Sequence, residues 1–137
     1  MKKLIIFSTL LLVGCPGSGD RYYPPEQAEI AIRNNAICIM VSPEGDERVQ
    51  SVFIHRNDSN QQVKDTYIDN SYFLTKDDCI GTNGYKFSTG VPYTVSVNLN
   101  SQKKADKRIF PSSRLFVTEF SLETTGAQLI INTEPER

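Results

Sequence analysis

The stretch Tyr93-Thr94-Val95-Ser96-Val97-Asn98-Leu99 decides the fold. Its large apolar residues fall at every second position, so Tyr93, Val95, Val97 and Leu99 share one face while Thr94, Ser96 and Asn98 share the other. Side chains alternate between two faces only in an extended chain; a helix would scatter these four around its circumference. A strand with one buried and one polar side follows, as in an antiparallel sheet covered on a single face.

The same period recurs on either side. Downstream, Leu115 to Glu123 brings Phe116, Thr118, Phe120 and Leu122 together, and Ala127 to Asn132 returns after Thr125-Gly126 as a final hairpin. Upstream, Ala28 to Arg33 puts Ile30 and Ile32 on one face, and Asn34-Asn35 supplies side chains that tolerate positive φ before Ile37-Cys38-Ile39-Met40-Val41, so a hairpin is predicted there. Ser42-Pro43-Glu44-Gly45-Asp46 reads as a turn. Arg48 to Arg56 reads as a third strand, with Phe53 on one side and Val52 and Ile54 on the other. Asn57 to Asn60 is the next turn. Val63 to Ile68 and Ser71 to Leu74 are weaker strand candidates, the segment around Cys79 reads as a loop, and Asn100 to Arg108 as a polar loop. Seven or eight short strands with no helical period beyond the N-terminal segment predict an all-β fold, a single antiparallel β-sandwich over residues 28–137, with a small barrel as the alternative.

Gly90-Val91-Pro92-Tyr93-Thr94-Val95-Ser96-Val97 resembles the turn-and-strand segment of fibronectin type III and immunoglobulin-like domains. That resemblance implies an immunoglobulin-like sandwich in which a tyrosine hydroxyl pins a corner between sheets. The chain contains no Trp, so the buried tryptophan usual in such domains is missing.

The N-terminus carries a different message. Lys2 and Lys3 precede the apolar run Leu4 to Val13, which Gly14-Cys15 closes. This run is too short to cross roughly 30 Å of hydrocarbon, so residues 1–14 are expected to be a cleaved signal peptide. Gly14-Cys15 resembles the lipobox of bacterial lipoproteins. The resemblance implies lipidation of Cys15, an acylated new amine, and firm anchoring by three acyl chains. Pro16 follows where an Asp would resemble an inner-membrane retention signal, which points to the periplasm and the inner leaflet of the outer membrane. Residues 15–27, rich in Gly, Pro and Ser after Cys15, read as a lipidated flexible tether. Tyr22 and Tyr23 suit either the membrane interface or packing on the domain.

With Cys15 committed to lipid, Cys38 and Cys79 remain in an oxidising compartment and are expected to pair as a disulfide. Neither lies in a CxxC spacing that would suggest redox exchange or metal. The formal net charge is −1 and becomes −3 once Lys2 and Lys3 are removed. Only Lys103-Lys104 and Lys107-Arg108 cluster, so no broad face for nucleic acid is expected.

Chemistry-bearing motifs are few. The single histidine, His55, sits in an alternating strand with no partner at ligand or triad spacing. Asp77-Asp78-Cys79-Ile80-Gly81-Thr82-Asn83-Gly84 lacks the alternate oxygens and closing Glu of a calcium loop. Glu44, Asp46 and Glu47 read as a solvated turn, or as an acidic rim for a basic partner. No catalytic residue, metal, cofactor or small-molecule substrate is expected.

The lipobox, the Pro16-Gly17-Ser18-Gly19-Asp20-Arg21 tether, the strand pair around Asn34-Asn35 and the Gly90 to Val97 segment together resemble the type VI secretion immunity lipoproteins of enteric bacteria. This implies a non-enzymatic protein partnered with a toxic effector that it binds and neutralises in the periplasm. Two other classes compete: a structural or assembly lipoprotein of the envelope or a secretion apparatus, and a hydrolase built around His55.

Overall fold

The computed structural model describes residues 21–60, 62–66, 74–82 and 84–133. The signal peptide, Cys15, residues 16–20 of the tether, and, of the two expected weak strands, Tyr67 and Ile68 of one and Ser71 to Phe73 of the other lie outside the described residues.

Among the described residues, eight strands and one short helix follow in order: β1 (Glu26–Gln27), β2 (Glu29–Arg33), β3 (Ala36–Met40), β4 (Arg48–Arg56), β5 (Gln62–Thr66), β6 (Pro92–Asn100), α1 (Gln102–Asp106), β7 (Ser113–Thr125) and β8 (Gln128–Asn132). The larger sheet runs β1-β7-β6-β4-β5, with β8 also on β7, and β2-β3 form a separate hairpin. β7 is 13 residues long, so on the edge away from β6 it accommodates two partners along its length: β1 beside Phe116 and Val117, and β8 from Ser121 to Thr125. Pairing is antiparallel except for β1, which runs parallel to β7.

The fold is an all-β sandwich, and its core follows the alternation in the sequence. Tyr93, Val95, Val97 and Leu99 of β6 are buried with Phe116, Thr118, Phe120 and Leu122 of β7. Val49, Val52 and Ile54 of β4 join them, although Val49 and Val52 are three positions apart. A register shift between Val49 and Ser51 reconciles this, because one extra residue reverses which face the strand presents. Ile39 and Val41, with Ala28, Leu74, Ile80 and Val91, complete the core. The hairpin turn at Asn34 and Asn35 has φ of 51° and 59°, the left-handed pair that a two-residue connection requires. Cys38 and Cys79 form the expected disulfide, with Cα atoms 4.8 Å apart. Beside it, the Ile80 amide donates to the Ile39 carbonyl at 2.8 Å.

Two sequence expectations need correction. The polar segment after Asn100 contains the single turn α1, because buried Ser101 caps it by accepting from the Lys104 amide and Gln102 bonds Asp106 one turn on. One turn is too short to leave a helical period. The folded domain also starts before Ala28: Glu26 and Gln27, read as tether, pair with β7.

Candidate functional site

Extending the period of two one residue ahead of β4 places Glu47 in line with buried Val49, and the same period inside β7 puts Arg114, its second residue, in line with buried Phe116. The two meet where the hydrophobic rows run out. Gly45, at φ 58°, turns the chain, and the Glu44 amide donates to Glu47 Oε2 at 2.9 Å. Arg114 Nε then donates to Glu47 Oε1 at 2.9 Å and its Nη2 to Oε2 at 2.6 Å, the paired geometry a guanidinium favours. Its Nη1 reaches both oxygens of Glu26, at 2.8 and 2.9 Å, and Nη2 also donates to the Ser42 carbonyl. The guanidinium carbon stands 5.0 Å from the centre of the Phe116 ring. Arg114 thus fastens β1, the turn before β4 and β7 to one another.

Glu47 is 1% exposed. Burial pushes its carboxyl up, but the Arg114 and Glu44 donors outweigh that and hold it below its ordinary value. The hydrogen bonds that Arg114 donates to Glu47 and Glu26 raise it further above its own ordinary value, against the effect of burial. Reading Glu47 as part of a solvated turn is therefore corrected, whereas Glu44 is exposed, as that reading had it. Asp46 accepts from Ser101 Oγ and the Lys103 amide, which together lower its carboxyl. The missed signal was the phase of Glu47 and Arg114 with their strands.

Beside this cluster lies an open recess of about 410 Å³ lined by Tyr23, Pro24, Asn98, Pro111, Arg114 and Leu115, among others. Asn98 and Leu115 face each other across β6 and β7 on the side of the sheet away from the core. Asn98 Oδ1 is buried and has no hydrogen-bond partner among the described residues. Tyr23 and Leu115 are half-exposed at its margin. The recess combines apolar contact surface with a buried acceptor that no described group satisfies and a guanidinium whose hydrogen bonds are already engaged. This chemistry suits holding a side chain of a partner.

The remaining sequence candidates are dispersed. His55 lies between Gln62 and Thr94 in the sheet register, and the disulfide is far from it in sequence. Asp78 is occupied locally, accepting from the Thr75 amide at 2.7 Å, while the Asp77 carbonyl accepts from Arg33 Nη1 at 2.8 Å. Among the described residues no three His, Cys, Asp or Glu side chains form a metal-holding group. At the opposite end of the sandwich, Tyr93 accepts from the Ser88 amide at 2.8 Å through its hydroxyl, and its ring packs on Phe87 and Phe120. Tyr85 and Phe87 come from a segment with no period, so their packing was not legible.

No curated protein and no solved structure matches the chain. A family model described as a domain of unknown function (DUF7480) matches residues 25–125, from Pro25 just ahead of β1 to Thr125, the last residue of β7. That span covers most of the chain and includes both Glu47 and Arg114, so the protein belongs to the DUF7480 family.

Proposed function

We propose that this protein is a lipoprotein anchored through Cys15 on the periplasmic side of the envelope, and that it acts as an immunity protein, binding and neutralising an antibacterial effector. The observation that carries the binding role is the recess beside Arg114. Its apolar rim, its unpartnered Asn98 acceptor and its fixed guanidinium are the features that a protein interface concentrates around an anchoring side chain. The disulfide and the Arg114 cluster hold the surrounding elements in place before binding, which lowers the ordering cost of association. Inhibition by occlusion requires a rigid surface at the place where the toxin arrives, and the lipobox-like Gly14-Cys15 supplies the address. The specific role as an immunity protein comes from the sequence resemblance.

Expressing the neighbouring gene's product in the periplasm, with and without this protein, tests the reading. Growth arrest or lysis relieved only by this protein is the expected result. A harmless neighbour, or equal toxicity in both strains, would favour an assembly role in the envelope.

A further inference from the structure

We infer that the α1 end of the sandwich is a membrane-docking face, in which Tyr22, Ile109 and Phe110 enter the headgroup boundary of an anionic bilayer while Lys103, Lys107 and Arg108 lie over its phosphates. This rests on the proposed anchoring at Cys15 and extends it from the tether to the domain itself.

Tyr22, Ile109 and Phe110 are 81%, 49% and 68% exposed. Adjacent large apolar side chains at a loop tip are unusual on a surface that meets only water. Their base is fixed. The Ile109 amide donates to the Lys104 carbonyl at 2.9 Å, the Arg108 amide to the Ala105 carbonyl at 3.1 Å, and the Ser101 amide to the Ser112 carbonyl at 2.8 Å. Ile109 and Phe110 are therefore presented from a closed loop.

The charge around them is opposite in sign to that of the chain as a whole. Lys103, Lys104, Lys107 and Arg108 stand within one turn of α1 and its exit, against the single carboxylate of Asp106. None of the four makes an ion pair within 4 Å among the described residues. Of the other acids at this end, Asp46 accepts from Ser101 and Lys103, Glu26 and Glu47 accept from Arg114, and Glu44, exposed, stands 3.9 Å from Arg114 Nη1. Aromatic side chains flanked by cations match the headgroup boundary, where rings favour the interface and each cation is attracted by anionic lipid.

Chain length selects the membrane as occupant. Tyr23 and Pro24 line the same recess as Pro111, so the chain enters the domain beside Phe110. Only residues 16–20 separate Cys15 from Arg21, a reach of about 21 Å at full extension. A domain anchored there has Arg21, two residues before the Tyr23 that lines the recess with Pro111, within that distance of the acyl chains, and the β7–β8 turn at Gly126 and Ala127 lies at the far end of β7.

The chain contains no Trp, so an indole placed by substitution reports alone. Full-length protein carrying Phe110→Trp, purified from membranes, is inserted into vesicles of phosphatidylethanolamine and phosphatidylglycerol containing bromine-labelled acyl chains. Ala127→Trp at the distal turn is the control. Expected is quenching about threefold greater at position 110 than at 127, falling by half or more with Lys107→Glu and Arg108→Glu or without phosphatidylglycerol. Mass spectrometry of the same protein reads acylation of Cys15. Acylated protein with equal quenching at the two positions overturns the docking face and leaves the anchor standing, including the case in which Phe110 serves a protein partner. Unacylated protein that is still quenched more strongly at position 110 overturns the anchor and leaves the face standing.

Discussion

Glu47 and Arg114 meet side by side, with Oε1 2.9 Å from Nε and Oε2 2.6 Å from Nη2, joining the turn before β4 to the start of β7 across 67 positions of sequence. Truncating one member leaves the other charged and largely out of water. Glu47→Ala should therefore cost about 3 to 5 kcal/mol, the range for breaking a buried pair, and Glu47→Gln less because one acceptor and the volume remain. Replacing both, as Glu47→Leu with Arg114→Met, should recover much of that loss. Urea unfolding of the four proteins in a double-mutant cycle measures the coupling; additive single effects would show that the two charges do not support each other.

Acid should loosen the same cluster. Because the folded Glu47 carboxyl is held below its ordinary 4.5, its contribution is complete above about pH 4.5 and is lost as pH falls through the lower, folded value. Arg114 stays charged throughout, so it adds no slope of its own. The urea midpoint should be nearly flat from pH 7 to 5 and drop below about 4.5, with a shallower drop in Glu47→Gln. An unchanged slope in that variant would place the acid sensitivity in other carboxylates.

How far the sequence could be read depended on the length of each pattern. β6 and β7 repeat their period over four or more pairs, so their faces and the buried rows were visible from Tyr93 and Phe116 onward. The Asn34-Asn35 turn was visible because few residue pairs accept two left-handed conformations. α1 was hidden because one turn has no period, and its stability comes from Ser101 and Asp46, which are 55 residues apart. The recess was hidden for a related reason. Tyr23, Asn98, Pro111 and Leu115 are ordinary in their local contexts and acquire a shared role only through the pairing of β1, β6 and β7.

The Cys38–Cys79 bridge closes a loop across 41 positions and lies against the core, with Cys38 buried. In the chain-entropy account, removing it by Cys38→Ala with Cys79→Ser should cost about 4 kcal/mol. Urea midpoints measured with and without reductant, on wild type and variant, separate loss of the bond from loss of packing. A difference under about 1 kcal/mol would mean that the Ile39–Ile80 pairing holds this segment without the bond, or that the unfolded chain is already restricted.

Leu115 offers a test of the recess that leaves the core alone. Its side chain is half-exposed on the outward face opposite Asn98, so Leu115→Glu should change stability by no more than about 0.5 kcal/mol. In the recess, however, the new carboxylate would sit unpaired against whatever apolar anchor a partner inserts, beside Asn98 Oδ1, which can only accept. On the proposed immunity role, binding to the effector should weaken by about tenfold or more, with loss of protection in the co-expression assay. Lys107→Glu, outside the recess, should leave affinity in solution unchanged while reducing protection in cells, because in the proposed docking it alters placement at the membrane and not the contact. Full protection by Leu115→Glu would move the effector contact to another surface of the sandwich.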